Sequence, residues 1–142
     1  MKLLDANLLL YAYHASSTQH RAAKQWIEAA FSEPAPVCLS WQTVTAFVRI
    51  STAARIFDAP FSVAQCIAIV DSWLAVPSVR MLTPGERHWE ILGNLLARAQ
   101  CRGPLVMDAH LAALALEHGA TLYTTDQGFT RFGGLSIVNP IR

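Results

Sequence analysis

The segment MDAHLAALALEHGATLYTTD, residues 107–126, carries the clearest secondary-structure pattern of this chain. Its Ala- and Leu-rich first part favours a helix, and Gly119 is the kind of residue that ends one. The apolar run that follows predicts a strand over residues 120–125, which ends on Asp126. A helix joined by one glycine to a buried strand is typical of an α/β protein.

The same alternation extends outward to both ends of the chain. Short apolar runs predict strands over residues 2–4, 37–39, 79–82 and, at an edge, 136–138. Helix signals separate them, including Ser40 as a cap and Pro84 near the start of a helix. Buried strands alternating with helices predict a central parallel sheet covered on both faces. We therefore expect one domain over residues 1–142, an α/β/α sandwich.

Composition narrows the possible functions. The net charge of +1 argues against a polybasic nucleic-acid clamp, although nine of the eleven basic residues are Arg, which suits local phosphate contacts. Neither a Gly-x-Gly-x-x-Gly nor a Gly-x-x-x-x-Gly-Lys-Ser/Thr run is present, so nucleotide cofactors lack their usual phosphate cradle. Hydrophobic residues make up 53%, more than one small core needs, which predicts a partner surface.

The cellular compartment follows from the cysteines and from what the apolar stretches lack. Three widely spaced Cys residues in apolar segments predict buried core thiols in a reducing compartment. The N-terminal run lacks the features of a signal peptide, and no stretch is long and uncharged enough to span a membrane. A cytoplasmic protein without a membrane segment is expected.

Three acids fall where a parallel sheet places its ligand sites. Asp5 and Asp126 end strands and Asp108 begins a helix, so all three face the carboxyl edge of the sheet. Asp108 has an alternative as an ordinary first-turn acid, and Asp126 has one as an Asx-turn. Asp5 lies between apolar residues and is harder to explain that way. Converging carboxylates favour a hard cation such as Mg²⁺ or Mn²⁺, which can activate water against a phosphodiester.

These motifs resemble those of the PIN-domain ribonucleases, specifically the VapC-type toxins of bacterial toxin–antitoxin pairs. The matching runs are Leu4-Asp5-Ala6-Asn7, Met107-Asp108-Ala109-His110-Leu111-Ala112-Ala113, and Thr124-Thr125-Asp126 with Phe129 and Phe132. The resemblance implies a PIN-type sandwich, Mg²⁺- or Mn²⁺-dependent endonucleolytic cleavage of RNA, and metal binding by Asp5, Asp108 and Asp126. It also implies a homodimer inhibited by a VapB-type antitoxin.

One position departs from the family pattern. Most members carry a Glu in a motif such as Glu-Phe-x-Arg, whereas this chain has Ala46-Phe47-Val48-Arg49. Ala46 cannot bind a metal. Three interpretations stay open: a subgroup that works with three acids, an introduced substitution, or a scaffold that binds RNA or antitoxin without cutting.

Several lesser candidates flank the acids. Asn7 and Thr125 are expected to orient waters or carboxylates, or to contact RNA, and Arg49 to reach a phosphate or to pair with an acid. His110 is a weaker candidate for an RNA contact. Glu117 is predicted to be a solvated residue of the last helical turn, too far along the helix from Asp108 to share its metal.

Overall fold

A computed structural model describes residues 1–142 and contains one parallel sheet of five short strands in the order β3-β2-β1-β4-β5. The strands are β1 Lys2–Leu4, β2 Val37–Leu39, β3 Val79–Met81, β4 Thr121–Tyr123 and β5 Ile137–Val138. Every neighbouring pair is parallel, with Leu3 opposite both Cys38 and Leu122. The predicted strands are all confirmed to within a few residues, including β5 at the edge.

Six α-helices connect the strands. They are α1 Ala6–Tyr13, α2 His20–Ser32, α3 Trp41–Ser51, α4 Val63–Leu74, α5 His88–Ala99 and α6 Leu105–His118, followed by a 3₁₀ helix at Gln127–Arg131. Ser40 caps α3 as predicted, since its side chain accepts from the amide of Thr43. Gly119 ends α6 with a φ of 66°, the left-handed conformation that glycine adopts without strain.

Two apolar cores lie on opposite faces of the sheet. Successive strand residues point to opposite faces, so Leu3 packs with α5 and α6 while Leu4 packs with α1 to α4. Both leucines are completely buried. The predicted three-layer α/β/α sandwich is therefore confirmed, and it fixes the carboxyl end of β1 between the two helical layers.

The prediction that Pro84 lies near the start of a helix is wrong by about one turn, because α5 begins only at His88. The intervening backbone is held by Glu117 of α6, whose carboxylate accepts from the amides of Gly85 at 2.8 Å and Arg87 at 3.0 Å. The Glu117 carboxylate thus satisfies two backbone amides of the loop that precedes α5.

The predicted burial of the cysteines is confirmed for Cys38 and Cys66, whereas Cys101 is only half-buried. Cys38, Cys66 and Cys101 are free thiols. No helix of the chain is both long and apolar enough to cross a membrane.

Candidate active site

Asp5 lies at the carboxyl end of β1 and caps α1. Its Oδ1 accepts from the amide of Ala6 at 2.7 Å, and its Oδ2 accepts from the hydroxyl of Thr124 at 2.7 Å. The pKa of Asp5 is raised to about 6, chiefly by burial and to a smaller extent by the charges of Asp108 and Asp126, against the lowering effect of these two hydrogen bonds. The three predicted acids therefore share one electrostatic environment.

Thr124 connects the acid-bearing segments. Its side chain is only 1% exposed. Besides donating to Asp5, its hydroxyl oxygen accepts from the amide of Asp126 at 3.0 Å and, more weakly, from Nδ2 of Asn7 at 3.5 Å. Thr125, the predicted orienting residue, forms no side-chain hydrogen bond, and the bond to Asp5 comes from its neighbour Thr124. Asn7 contacts Thr124 and not a carboxylate, so its expected role beside Asp5 stays a prediction.

Asp108 and Asp126 complete the acidic edge. Asp108 is half-buried in the first turn of α6, where burial and the Asp126 carboxylate raise its pKa and the Arg131 guanidinium lowers it. Asp126 is exposed, and its Oδ1 accepts from the amide of Gly128 at 2.7 Å, which is the Asx-turn foreseen as its alternative role. That bond engages Oδ1 of Asp126 alone, so its other oxygen can still accept.

Two side chains in the first turn of α3 form hydrogen bonds to the backbone just before Asp5 and just before Asp108. The Thr43 hydroxyl donates to the carbonyl of Leu4 at 3.2 Å, and Nε2 of Gln42 donates to the carbonyl of Met107 at 2.9 Å. Leu4 and Met107 directly precede Asp5 and Asp108 in the chain. This turn therefore ties β1 to the start of α6 across the acidic edge.

The donor chemistry of the site fits a hard cation. Two buried carboxamide oxygens near the acids, Oδ1 of Asn7 and Oε1 of Gln42, have no hydrogen-bond donor. Together with the carboxylates they give an excess of oxygen acceptors without matching donors, which a divalent cation with oxygen ligands satisfies. As they stand, no three His, Cys, Asp or Glu side chains are close enough together to hold a metal ion.

The structure does not pair Arg49 with an acid. Its side chain is exposed on α3 and forms no ion pair with a carboxylate, so that part of the prediction is wrong. Ala46, one turn earlier on α3, is half-buried. The cation beside the acids is instead Arg131, whose Nε donates to the carbonyl of Gly128 at 2.7 Å.

Sequence reasoning missed Thr124, Gln42 and Arg131. Each lies at a short spacing from a residue that the sequence did single out. Thr124 lies two residues before Asp126, and Gln42 lies four before Ala46. Arg131 is the last residue of the 3₁₀ helix that follows Asp126. Spacing alone did not separate Thr124 from Thr125, because the choice depends on which one the end of β4 turns inward.

A second polar cluster lies on the opposite face of α6. His110 is two residues, or about 200°, around the helix from Asp108. Its Nδ1 is 2.8 Å from Nε2 of His88, an arrangement that differs from a contact with the acids. Glu117 is only 11% exposed at its side chain and is bonded to two amides, so the prediction that it is solvated is wrong.

The fold and the acidic edge of the sheet together indicate the protein family. The chain is an α/β/α protein with three mutually repelling carboxylates and unpaired oxygens at the carboxyl edge of a parallel sheet, the place where such folds bind ligands. Residues 2–135 match the family described as PIN domain. The chain belongs to the PIN-domain family.

Two of the relatives that it matches are named ribonucleases of Mycobacterium tuberculosis. It is 40% identical over 135 residues to Ribonuclease VapC37 of Mycobacterium tuberculosis, covering 95% of this chain and 94% of that one. It is 37% identical to Ribonuclease VapC33 of the same species, covering 100% and 99%.

Solved structures share the fold. Mycobacterium tuberculosis VapC20, described as a sarcin-ricin loop cleaving toxin, matches with a TM-score of 0.70 at 20% identity, covering 99% of this chain and 100% of that one. VapBC2 of Rickettsia felis, bound to a promoter DNA fragment, matches with a TM-score of 0.70 at 17% identity, covering 97% of each chain. At these identities the likeness concerns the fold alone.

Proposed function

We propose that this protein is a Mg²⁺- or Mn²⁺-dependent endoribonuclease, the toxin of a type II toxin–antitoxin pair that acts in the cytoplasm. The observation that carries the proposal is the accumulation of carboxylates and unpaired carboxamide oxygens at one sheet edge, in a family whose full-length relatives are named ribonucleases. A scaffold that only bound RNA would have no need for three acids that raise one another's pKa.

Asp5, Asp108 and Asp126 are the residues that would hold the ion. Binding requires side-chain rotation, which half-buried Asp108 and exposed Asp126 permit, whereas Asp5 is fixed by its two hydrogen bonds. A bound divalent ion supplies charge neutralisation and a more acidic water for attack on phosphorus. Thr124 keeps Oδ2 of the Asp5 carboxylate in place by donating a hydrogen bond to it.

Arg131 is the residue placed to meet the RNA phosphate. Its side chain is exposed, and its charge acts on Asp108 without an ion pair that would engage the guanidinium. A guanidinium can bind two phosphate oxygens at once. We assign it the orientation of the phosphodiester against the acids. Asn7, Thr125 and Arg49 remain candidates for further RNA contacts.

Cleavage of a structured RNA by the purified protein in Mn²⁺ tests the proposal. Wild type is compared with Asp5→Asn, and with Asp58→Asn as a matched control, since Asp58 is an exposed loop acid. We expect wild type and the control to cut equally, Asp5→Asn to lose cutting, and EDTA to abolish it. Equal cutting by Asp5→Asn would refute the enzyme and favour the binding scaffold.

The partner surface is proposed to be the outer face of α4. Val63, Ile67 and Leu74 are 61%, 55% and 42% exposed and lie on one stripe of this helix. An exposed apolar stripe is typical of a surface that receives an amphipathic helix. We assign it to the VapB-type antitoxin, since structural neighbours include toxin–antitoxin complexes.

Ile67→Asp tests this assignment. We expect it to abolish inhibition by the antitoxin while leaving RNA cleavage intact, because the change lies on a different element from the acids. Size-exclusion chromatography of the toxin alone checks the expected homodimer. Loss of the dimer with retained inhibition would assign the stripe to the second copy instead.

A further inference from the structure

The amide of Gln42 has a defined orientation. Its partner, the carbonyl of Met107, can only accept a hydrogen bond, so the NH₂ group must face it. Oε1 therefore points away from Met107. It is buried and has no donor of its own. An unpaired buried carbonyl oxygen is unfavourable unless a cation or an ordered water fills the remaining space.

The position of Gln42 relates it to the missing glutamate. Gln42 and Ala46 are four residues apart on α3 and hence on the same face. Ala46 leaves the face without an oxygen one turn away from Gln42. The hydrogen bond to Met107 brings the Gln42 amide to the residue before Asp108.

We infer that Gln42 performs part of the role of the absent glutamate. Nε2 fixes Asp108 through the Met107 carbonyl, and Oε1 offers an additional oxygen to the cation of the acid site or to a water bound there. The inference rests on the proposed metal-dependent function. It makes Gln42 a positioning residue whose effect is measured in metal affinity.

A purely structural tether would give different results from this role, and three variants separate them. Gln42→Met removes both polar groups at similar volume, whereas Gln42→Glu removes the donor to Met107 but keeps an oxygen. Gln25→Met on α2 is the matched control, since Gln25 is exposed and has no side-chain hydrogen bond. Mn²⁺ affinity is measured by calorimetry, and thermal unfolding in EDTA confirms that each variant is folded.

We expect Gln42→Met to weaken Mn²⁺ binding by roughly tenfold, Gln42→Glu to bind more tightly than Gln42→Met because it keeps an oxygen at the site, and Gln25→Met to match wild type. Equal affinity of Gln42→Met and wild type, or equal loss in Gln42→Met and Gln42→Glu, would overturn the inference. Asp5→Asn is titrated in parallel. If it binds Mn²⁺ as wild type does, the metal-dependent function fails first and the role of Gln42 fails with it.

Discussion

The two faces of α6 carry carboxylates with opposite properties. On one face the pKa of Asp108 is raised by burial and by the neighbouring Asp126. On the other the pKa of Glu117 is lowered, first by the amide of Gly85 and also by that of Arg87. The two acids are nine residues apart on the same helix, so the difference comes from their partners and not from the helix.

Glu117 has hydrogen-bond donors within the chain, whereas Asp108 is proposed to bind a cation. Through these donors Glu117 stabilises the loop before α5. Asp5 and Asp108 face carboxylates and unpaired carboxamide oxygens, an arrangement that costs stability unless a cation is added. Strain of this kind is common at functional sites.

The largest expected effect comes from exchanging a carboxylate for an amide on each face. Asp108→Asn should lower the rate of RNA cleavage by about 100-fold or more, since several kcal/mol of charge stabilisation depend on the acid site. Glu117→Gln should cut at nearly the wild-type rate. Comparable losses in both variants, measured at saturating Mn²⁺, would remove the distinction between the two faces.

The pH dependence of stability is the next largest effect. Because the pKa of Asp5 is raised from 3.8 to about 6, the folded state binds a proton that the unfolded state has released between these values. The contribution of Asp5 to the free energy of unfolding is therefore complete below pH 3.8, and it is lost as the pH rises through about 6. The loss amounts to roughly 3 kcal/mol at neutral pH.

Asp5→Asn isolates this contribution. Unfolding by urea in EDTA is measured for wild type and variant at pH 4 and pH 7.5. We expect the variant to gain on wild type between the two values by about 2.5 kcal/mol, most of the full difference, and Mn²⁺ to reverse the order by stabilising wild type alone. A difference between the proteins that does not change with pH would contradict the raised pKa.

The sequence predicted where the three acids lie in the secondary structure, because strand ends and helix starts follow from local pattern, whereas their role as metal ligands stays a prediction. Asp5, Asp108 and Asp126 all lie within one electrostatic environment. It failed where the answer depends on contacts between distant segments. Thr124 was passed over for Thr125, and Glu117 was assigned to solvent, although its partners are some 30 residues away in the chain.

A smaller effect, on stability, is expected from the face of α6 that carries Glu117. Glu117→Gln keeps one oxygen for the amides of Gly85 and Arg87 but loses the charge that strengthens both bonds. The free energy of unfolding should fall, and hydrogen exchange at the amides of Gly85 and Arg87 should quicken. Unchanged exchange at these amides would mean that the carboxylate does not hold the loop.

The smallest expected effect is a gain, and it tests what the acid site lacks. Ala46→Glu restores a fourth carboxylate on the half-buried face of α3, one turn from Gln42. If position 46 faces the acids, Mn²⁺ affinity should rise by about tenfold, equivalent to ~1.4 kcal/mol. In EDTA the free energy of unfolding should fall, because a fourth like charge is added. Ala46→Gln is the matched control, since it adds the volume without the charge. An affinity unchanged by Ala46→Glu would mean that position 46 does not face the ion, leaving the three aspartates and Gln42 as the complete set of donors from the sheet edge and α3.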